Sequence, residues 1–218
     1  MARDRGLFFA AVTSESGRVS FGISSQSKFS VVAKLEEAMR HLGLLLARVV
    51  LGTYLAVHGA QKLFGAFKGS GLEKAAAGFE SRGLRPGKPL AALAGVAELG
   101  GGVLTATGIA APLGPIVIAG TMAVASATHR ENGALAQDGG FELPLTNLAL
   151  AVALMSSGTG VWRLGPHLSK KWTSVVFLGG AALAAGAIAH MVHNSPPTLE
   201  PSVDETAPFD ADPSMASN

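Results

Sequence analysis

The 218-residue sequence is apolar and sparsely charged, with 48% hydrophobic residues, 15% charged residues and a mean hydropathy of +0.37. Water-soluble domains carry about 25% charged residues, so this composition argues against a soluble domain and for a membrane protein in contact with the lipid bilayer. The sequence contains no cysteine, which excludes thiol, disulfide and cysteine-held iron–sulfur chemistry on these residues, and its net charge of +2 gives no reason to expect a nucleic-acid partner.

The first 41 residues are interpreted as a soluble, basic N-terminal extension. They contain six Lys and Arg residues, and their apolar run at residues 7–12 is short. A signal peptide needs an apolar core of about 7–15 residues followed by a small-residue cleavage site. Within this extension, residues 31–40 are predicted to form a short helix that leads into the first span.

Five apolar segments follow, and each reaches or approaches the roughly 20 residues that cross the hydrocarbon core. They lack the alternation of strands, so helices are expected. The third and fourth segments contain no charge, which disfavours the alternative of a soluble bundle with a charged outer stripe on each helix. The segments are residues 42–64, 90–109, 112–128, 143–162 and 172–192.

The predicted fold class is therefore an all-α integral membrane protein. Residues 42–162 are expected to form a four-helix transmembrane bundle, and residues 163–193 a fifth, C-terminal transmembrane helix. The positive-inside rule weakly favours an N-terminus inside the cell, with nine basic residues inside against seven outside. Residues 194–218 hold five prolines, five acidic residues and no Lys or Arg, which predicts a disordered acidic tail.

Glu98 is the only charged residue in the apolar run 90–109, and it lies near the middle of that run. A charge at the bilayer centre costs about 2.5–3.5 kcal/mol on insertion scales, so Glu98 is expected to face a partner, a cavity or a ligand. If the first two spans form an antiparallel hairpin, Arg48 and Glu98 differ in depth by about one helical turn. We therefore predict an ion pair between them.

Two interpretations of this buried charge stay open. In the first, Arg48 and Glu98 form a clamp that fixes the helix register and has no chemistry. In the second, Glu98 and the nearby His58 bind a polar head group or relay protons. Lys62 follows His58 by four residues and shares its helix face.

Small residues on the second span are predicted to pack against another helix. Gly95 and Gly102 stand in a row of small residues spaced by three and four, and such a row lets helices approach closely in a membrane. The neighbouring glycines are not interpreted as a phosphate-binding loop, because they lie within a span rather than before a helix.

The connectors between spans offer two further candidates. Residues 72–80 are predicted to form a short surface helix with Phe79 towards lipid and Lys74 towards water, either as a lid over the polar core or as a simple linker. His129 and Glu142 bracket a later loop. Either Glu142 favours the start of the fourth helix, or the two side chains converge in a small polar site. No standard metal-ligand spacing is present, so no metal is expected.

Five ordered runs carry a resemblance to a known family. They are RVVLG at 48–52, HGAQKLFG at 58–65, LAGVAELGG at 93–101, HRENG at 129–133 and GGFELPL at 139–145. Over about residues 42–160 the sequence resembles the DoxX family of small bacterial membrane proteins. The resemblance implies a four-helix membrane core whose polar positions are Arg48, His58, Lys62, Glu98, His129 and Glu142. The fifth apolar segment and the N-terminal extension lie outside it.

The resemblance also implies a function. Family members are associated with thiosulfate:quinone oxidoreductase and with membrane complexes that handle thiols and oxidative stress. We therefore expect a multi-pass protein of the bacterial plasma (inner) membrane that is a subunit of an oxidoreductase complex. It would bind quinone rather than hold an intrinsic cofactor, and it would work with a soluble or membrane oxidoreductase partner or as a homo-oligomer. The alternative is a non-enzymatic carrier or assembly scaffold for small polar molecules or partner proteins.

Overall fold

The computed structural model describes residues 11–13, 19–21 and 25–194, and this part of the chain is mainly helical. Two short strands, β1 (Ala11–Thr13) and β2 (Val19–Phe21), pair antiparallel. The helices are α1 (Ser25–Phe64), α2 (Gly71–Ser81), α3 (Gly87–Thr107), α4 (Leu113–Thr128), α5 (Glu142–Ser157) and α6 (Lys170–Asn194), with short 3-10 turns at Ala66–Lys68, Arg130–Asn132 and Ala136–Asp138. The predicted all-α membrane fold class is confirmed, whereas the predicted disordered tail lies almost entirely outside the described residues.

The helix α1 is much longer than a membrane span. Its 40 residues extend about 60 Å at 1.5 Å per residue, twice the roughly 30 Å of a hydrocarbon core. It begins at Ser25, inside the segment interpreted as a soluble extension, and the short helix predicted at residues 31–40 is the N-terminal part of this one helix.

Within the described part of the chain, three helices are long and apolar enough to cross a bilayer, namely α1, α3 and α6. The helices α4 and α5 have 16 residues each, about 24 Å, and are shorter than the predicted spans 112–128 and 143–162. The helix α5 ends early because Gly158 follows it with φ 77°, a backbone conformation that suits glycine and stops a helix. Residues 158–162, although apolar, belong to the connector.

The helices α1 and α3 form a close antiparallel pair. A Cβ added to Gly52 would lie 2.5 Å from the Gly102 oxygen, and a Cβ added to Gly102 would lie 2.5 Å from the Gly52 oxygen. A Cβ on Gly95 would lie 2.7 Å from Leu63 Cγ, so Gly95 and Gly102 both lie at this contact. Glycine at these points lets the two backbones approach, and the contact fixes which residues of α1 stand opposite which residues of α3.

The hydrophobic core joins α1 to α4 and α5, while α6 packs on the outside of α4. The core side chains are Leu51, Leu55, Ile118, Met122, Ala151 and Leu154. Gly180 of α6 lies beside Ile116 of α4, where a Cβ would meet Ile116 Cγ2 at 3.8 Å. The loops gather at two ends. We call the end with residues 108–112 and 158–169 the Arg48 end, and the end with residues 65–86 and 129–141 the cavity end.

Candidate functional site

A cavity of about 590 Å³ lies among α3, α4 and α6, with α2 across its end. Its walls are mostly aliphatic and include Leu90 and Leu93 of α3, Val124 of α4 and Leu183 of α6. Small-molecule sites usually occupy about 300–1,000 Å³ and combine apolar walls with a few polar groups. The cavity therefore has the size and the surface for an apolar ligand with a polar head.

The charged group of the cavity is an ion pair between α1 and α3. Lys62 Nζ lies 2.5 Å from both carboxylate oxygens of Glu98, and both residues line the cavity. The Glu98 side chain is 3% exposed and the Lys62 side chain is 28% exposed. A carboxylate buried among apolar helices needs such a partner, because an unpaired charge there is strongly unfavourable.

The predicted ion pair between Arg48 and Glu98 is wrong. The Arg48 guanidinium instead donates to the main-chain oxygen of Thr159 at 2.8 Å and to that of Trp162, in the connector before α6. The glycine contact sets a hairpin register in which Arg48 stands beside Gly108, whereas Glu98 stands opposite Lys62. Lys62 follows Arg48 by 14 residues, about 21 Å along α1, so the guanidinium cannot reach the carboxylate.

His58 lies one turn before Lys62 and is half-buried, but it does not line the cavity. Its ring contacts Tyr54 edge to face, with the centroids 4.5 Å apart. The structure thus brings His58 close to the ion pair along α1 without exposing it to the same space. Among the candidates from the sequence, Lys62, Glu98 and His129 line the cavity.

The helix α2 covers the cavity with a basic and partly aromatic face. Lys74, Phe79 and Arg82 line the cavity, and Ala76 is buried. The helix predicted in residues 72–80 is therefore present. Phe79 was predicted to face lipid, but it faces the cavity instead. Lys74 makes no hydrogen bond or ion pair within the described residues, and Arg82 donates to the Gly78 oxygen at 2.8 Å.

His129 and Glu142 brace their loop through separate bonds. His129 Nδ1 lies 2.6 Å from the Gly139 oxygen, and Glu142 accepts a hydrogen bond from the Ala136 amide at 2.9 Å. Glu142 lies in the first turn of α5, as predicted for a residue that favours the start of that helix. Its carboxylate, however, bonds to the preceding loop. Of the two, only His129 lines the cavity. No group of three His, Cys, Asp or Glu residues that could hold a metal ion occurs in the described ranges.

Sequence reasoning missed the wall made by α6 and the position of the α2 charges at the cavity, since Lys74 was predicted to face water. Val176, Leu183 and Ala187 of α6 line the cavity about 80 to 100 residues after the α3 wall, and no local pattern connects the two segments. A signal for α2 was present, since Lys74, Gly78 and Arg82 recur every four residues and therefore share one helix face.

Comparison with known proteins agrees with the family resemblance. The family model described as DoxX matches residues 43–130, which contain most of α1 and all of α2, α3 and α4. No curated protein and no solved structure matches the chain. The matched segment includes the ion pair of Lys62 and Glu98, while α5 and the cavity wall on α6 lie outside it.

Proposed function

Residues 43–130 are a DoxX domain, and on that premise we propose that this chain is the membrane subunit of a bacterial oxidoreductase complex that binds quinone in the cavity. Proteins with this domain are in general membrane proteins linked to oxidoreductase or stress-related functions. The plasma membrane is the proposed location, because the chain has helices long enough to span a bilayer.

The observation that carries this proposal is a buried ion pair at the polar end of an apolar, lipid-bordering cavity. Leu93 lines the cavity and is 61% exposed, so the cavity wall continues onto the outer surface of α3. A ligand with a long apolar tail can therefore enter from the bilayer and keep its tail among aliphatic side chains. Its head would meet Lys62, Glu98 and the basic face of α2.

The residues present fit a quinone head by their hydrogen-bonding capacity. A lysine ammonium has three N–H donors, and Lys62 directs its nitrogen towards the two oxygens of one carboxylate. A further N–H remains to donate to a ligand oxygen. Lys74, which has no partner in the described part of the chain, provides a second cationic donor at the cavity end.

Quinone, when bound, accepts two electrons from a partner and two protons to give quinol. The Lys62 ammonium is placed to hold a proton at Nζ against a ligand oxygen, and the Glu98 carboxylate stabilises that charge. The aliphatic walls exclude water and so strengthen these interactions. His58 lies one turn along α1 from Lys62, and in this proposal it would exchange protons with the pair through a bridging water.

The electrons would come from a soluble or membrane oxidoreductase partner. This sequence has no cysteine, so its residues cannot exchange thiols themselves. Thiosulfate, small thiols or an oxidative-stress substrate would be oxidised on the partner, and this chain would pass the reducing equivalents into the membrane pool as quinol. It therefore acts as an acceptor subunit rather than as the site where the donor binds.

The test is quinone occupancy of the purified protein. We expect quinone to be extracted with the wild type in mild detergent, and Ala94→Phe, which fills the cavity from α3, to reduce occupancy about tenfold. Val96→Phe is the matched control, because Val96 is on the same helix, is 58% exposed and does not line the cavity. A folded wild type that takes up no quinone from quinone-loaded vesicles would refute the proposal.

The same experiment addresses the alternative functions. A carrier of small polar molecules needs polar walls, and this cavity is lined mainly by Leu, Val, Ala and Gly. An assembly scaffold would retain its partner proteins in Ala94→Phe and would show no dependence on quinone. Retained partner binding together with absent quinone would therefore favour the scaffold.

A further inference from the structure

The N-terminal part of α1 extends beyond the rest of the described chain. The paired helix α3 has 21 residues and ends near Arg48, where the connector before α6 also lies. In that connector Gly160 lies beside His41, because a Cβ added to Gly160 would lie 3.3 Å from His41 Nδ1. Residues 29–40 are exposed at every position, so about 16 residues from Ser25 onward, roughly 24 Å of helix, project past the bundle.

A continuous apolar stripe runs along this projection and onto the adjoining turns of α1. Successive members are separated by three, four, three, four and three residues, and each is between 41% and 64% exposed. The stripe consists of Val32, Leu35, Met39, Leu42, Leu46 and Val49. The opposite face of α1 holds Arg48, Leu51 and Leu55, which are buried in the bundle. The stripe is therefore the face of α1 that the described chain leaves uncovered.

We propose that a second copy of this chain covers the stripe, so that the two α1 helices form a parallel pair. Alternating spacings of three and four average 3.5 residues, the repeat at which two helices keep facing each other as they supercoil. Two copies inserted into one membrane share the same orientation, and a two-fold axis along the membrane normal then makes the pair parallel.

Length and charge both favour this occupant. Val32, Leu35 and Met39 lie on the projecting part, where acyl chains cannot reach them if α3 spans the hydrocarbon core. The charged residues Lys34, Glu37 and Arg40 lie on the outer side of the helix, away from the stripe. Between Val32 and Val49, Glu36 is the one charged residue beside the stripe. In a parallel pair it would stand near Val31 of the partner subunit, so no like charges oppose each other along the stripe.

Disulfide trapping tests the proposal directly, because the sequence contains no cysteine. Leu35→Cys and Met39→Cys place thiols on the stripe, and Glu37→Cys places one on the opposite side of the same turn. In membrane vesicles under mild oxidation we expect covalent dimers at 35 and 39 in at least about tenfold excess over those at 37. Equal yields at all three positions would indicate random collision and would refute the pair.

A second measurement does not depend on thiols. The double variant Leu35→Glu with Met39→Glu should convert a detergent-solubilised dimer to a monomer, as measured by light scattering coupled to size exclusion. Ala33→Glu, which adds a charge off the stripe, should remain a dimer. These residues lie outside the bundle, so quinone occupancy should persist in all three proteins. A wild type that is monomeric in both detergent and vesicles, or a double variant that remains dimeric, would overturn the proposal.

Discussion

Among the residues that the structure describes, two charged side chains are buried in the membrane bundle, one towards each end, and they have different kinds of partner. Arg48 is 3% exposed and Glu98 is 2% exposed. Arg48 donates to main-chain oxygens of the connector before α6, so its charge holds a loop in place. Glu98 is met by a flexible side chain, that of Lys62, beside a cavity. A buried charge alone therefore does not mark a functional site. What distinguishes Glu98 from Arg48 is that Glu98 lies beside a cavity that could hold a ligand.

The difference also explains why both charges are tolerated in an apolar environment. Main-chain oxygens are fixed by the fold, so they satisfy Arg48 only while the connector 158–162 keeps its position. The Lys62 side chain can move within the cavity and share its donors with a ligand. The Arg48 end is thus expected to contribute to stability, and the cavity end to both stability and binding.

The largest effect is expected from removing one member of the buried pair. Lys62→Met leaves the Glu98 carboxylate without its partner, and breaking a buried pair in this way costs about 3–5 kcal/mol of folding free energy. Unfolding by heat or denaturant in mild detergent would measure the loss. The double variant Lys62→Met with Glu98→Met should recover most of the stability, because well-packed apolar residues often replace an ion pair at little cost.

Quinone occupancy separates a clamp from a binding site in that double variant. We expect the recovered protein to hold little quinone, because the donors that fit a quinone oxygen are gone. A double variant that is stable and fully loaded with quinone would show that the pair only fixes the helices and that the head group is recognised elsewhere.

A smaller loss is expected at the other end of the bundle. Arg48→Met removes the donors from the oxygens of Thr159 and Trp162, and an unsatisfied buried polar group costs about 1–3 kcal/mol. We expect unfolding at lower temperature with unchanged quinone per folded protein. If Arg48→Met emptied the cavity while the protein stayed folded, the two ends would not be independent.

The part of this arrangement that the sequence could predict is the part that depends on local pattern. Long apolar runs predicted the helices, and a lone carboxylate in one of them indicated that Glu98 needs a partner. The identity of that partner depends on hairpin register, which is set by the approach of Gly52 to Gly102 and not by counting residues from the ends of apolar runs. Lys62 was recognised as polar, but its pairing could not be derived.

Long-range packing accounts for most of the other differences. The cavity forms because α6 packs against α4. The sequence of a uniformly apolar helix does not indicate which neighbouring helix it will pack against. The early end of α5 depends on the positive φ of Gly158 within a stretch that remains apolar to Trp162. Hydropathy alone therefore extends that span too far.

The register itself can be perturbed with matched glycine substitutions. Gly52→Ala places a Cβ 2.5 Å from backbone atoms of α3, and overpacking of this kind typically costs about 1–3 kcal/mol. Gly100→Ala is the control, because a Cβ there meets nothing within 4 Å and alanine in a helix is favoured over glycine by about 0.5–1 kcal/mol. Unfolding measurements should give opposite signs. Equal effects would mean that the α1–α3 contact is looser than the structure indicates.

The smallest effect is expected at an exposed ion pair whose N–O distance equals that of the Lys62–Glu98 pair. Lys88 Nζ lies 2.5 Å from a Glu73 oxygen, as Lys62 Nζ does from Glu98, but these side chains are 60% and 78% exposed. Water already solvates both charges, and exposed pairs contribute about 0–1 kcal/mol, less in salt. Glu73→Gln should therefore leave the unfolding midpoint nearly unchanged, whereas Glu98→Gln should lower it. If the two substitutions had equal effects, burial of Glu98 would not explain its importance, because the two pairs differ chiefly in their access to solvent.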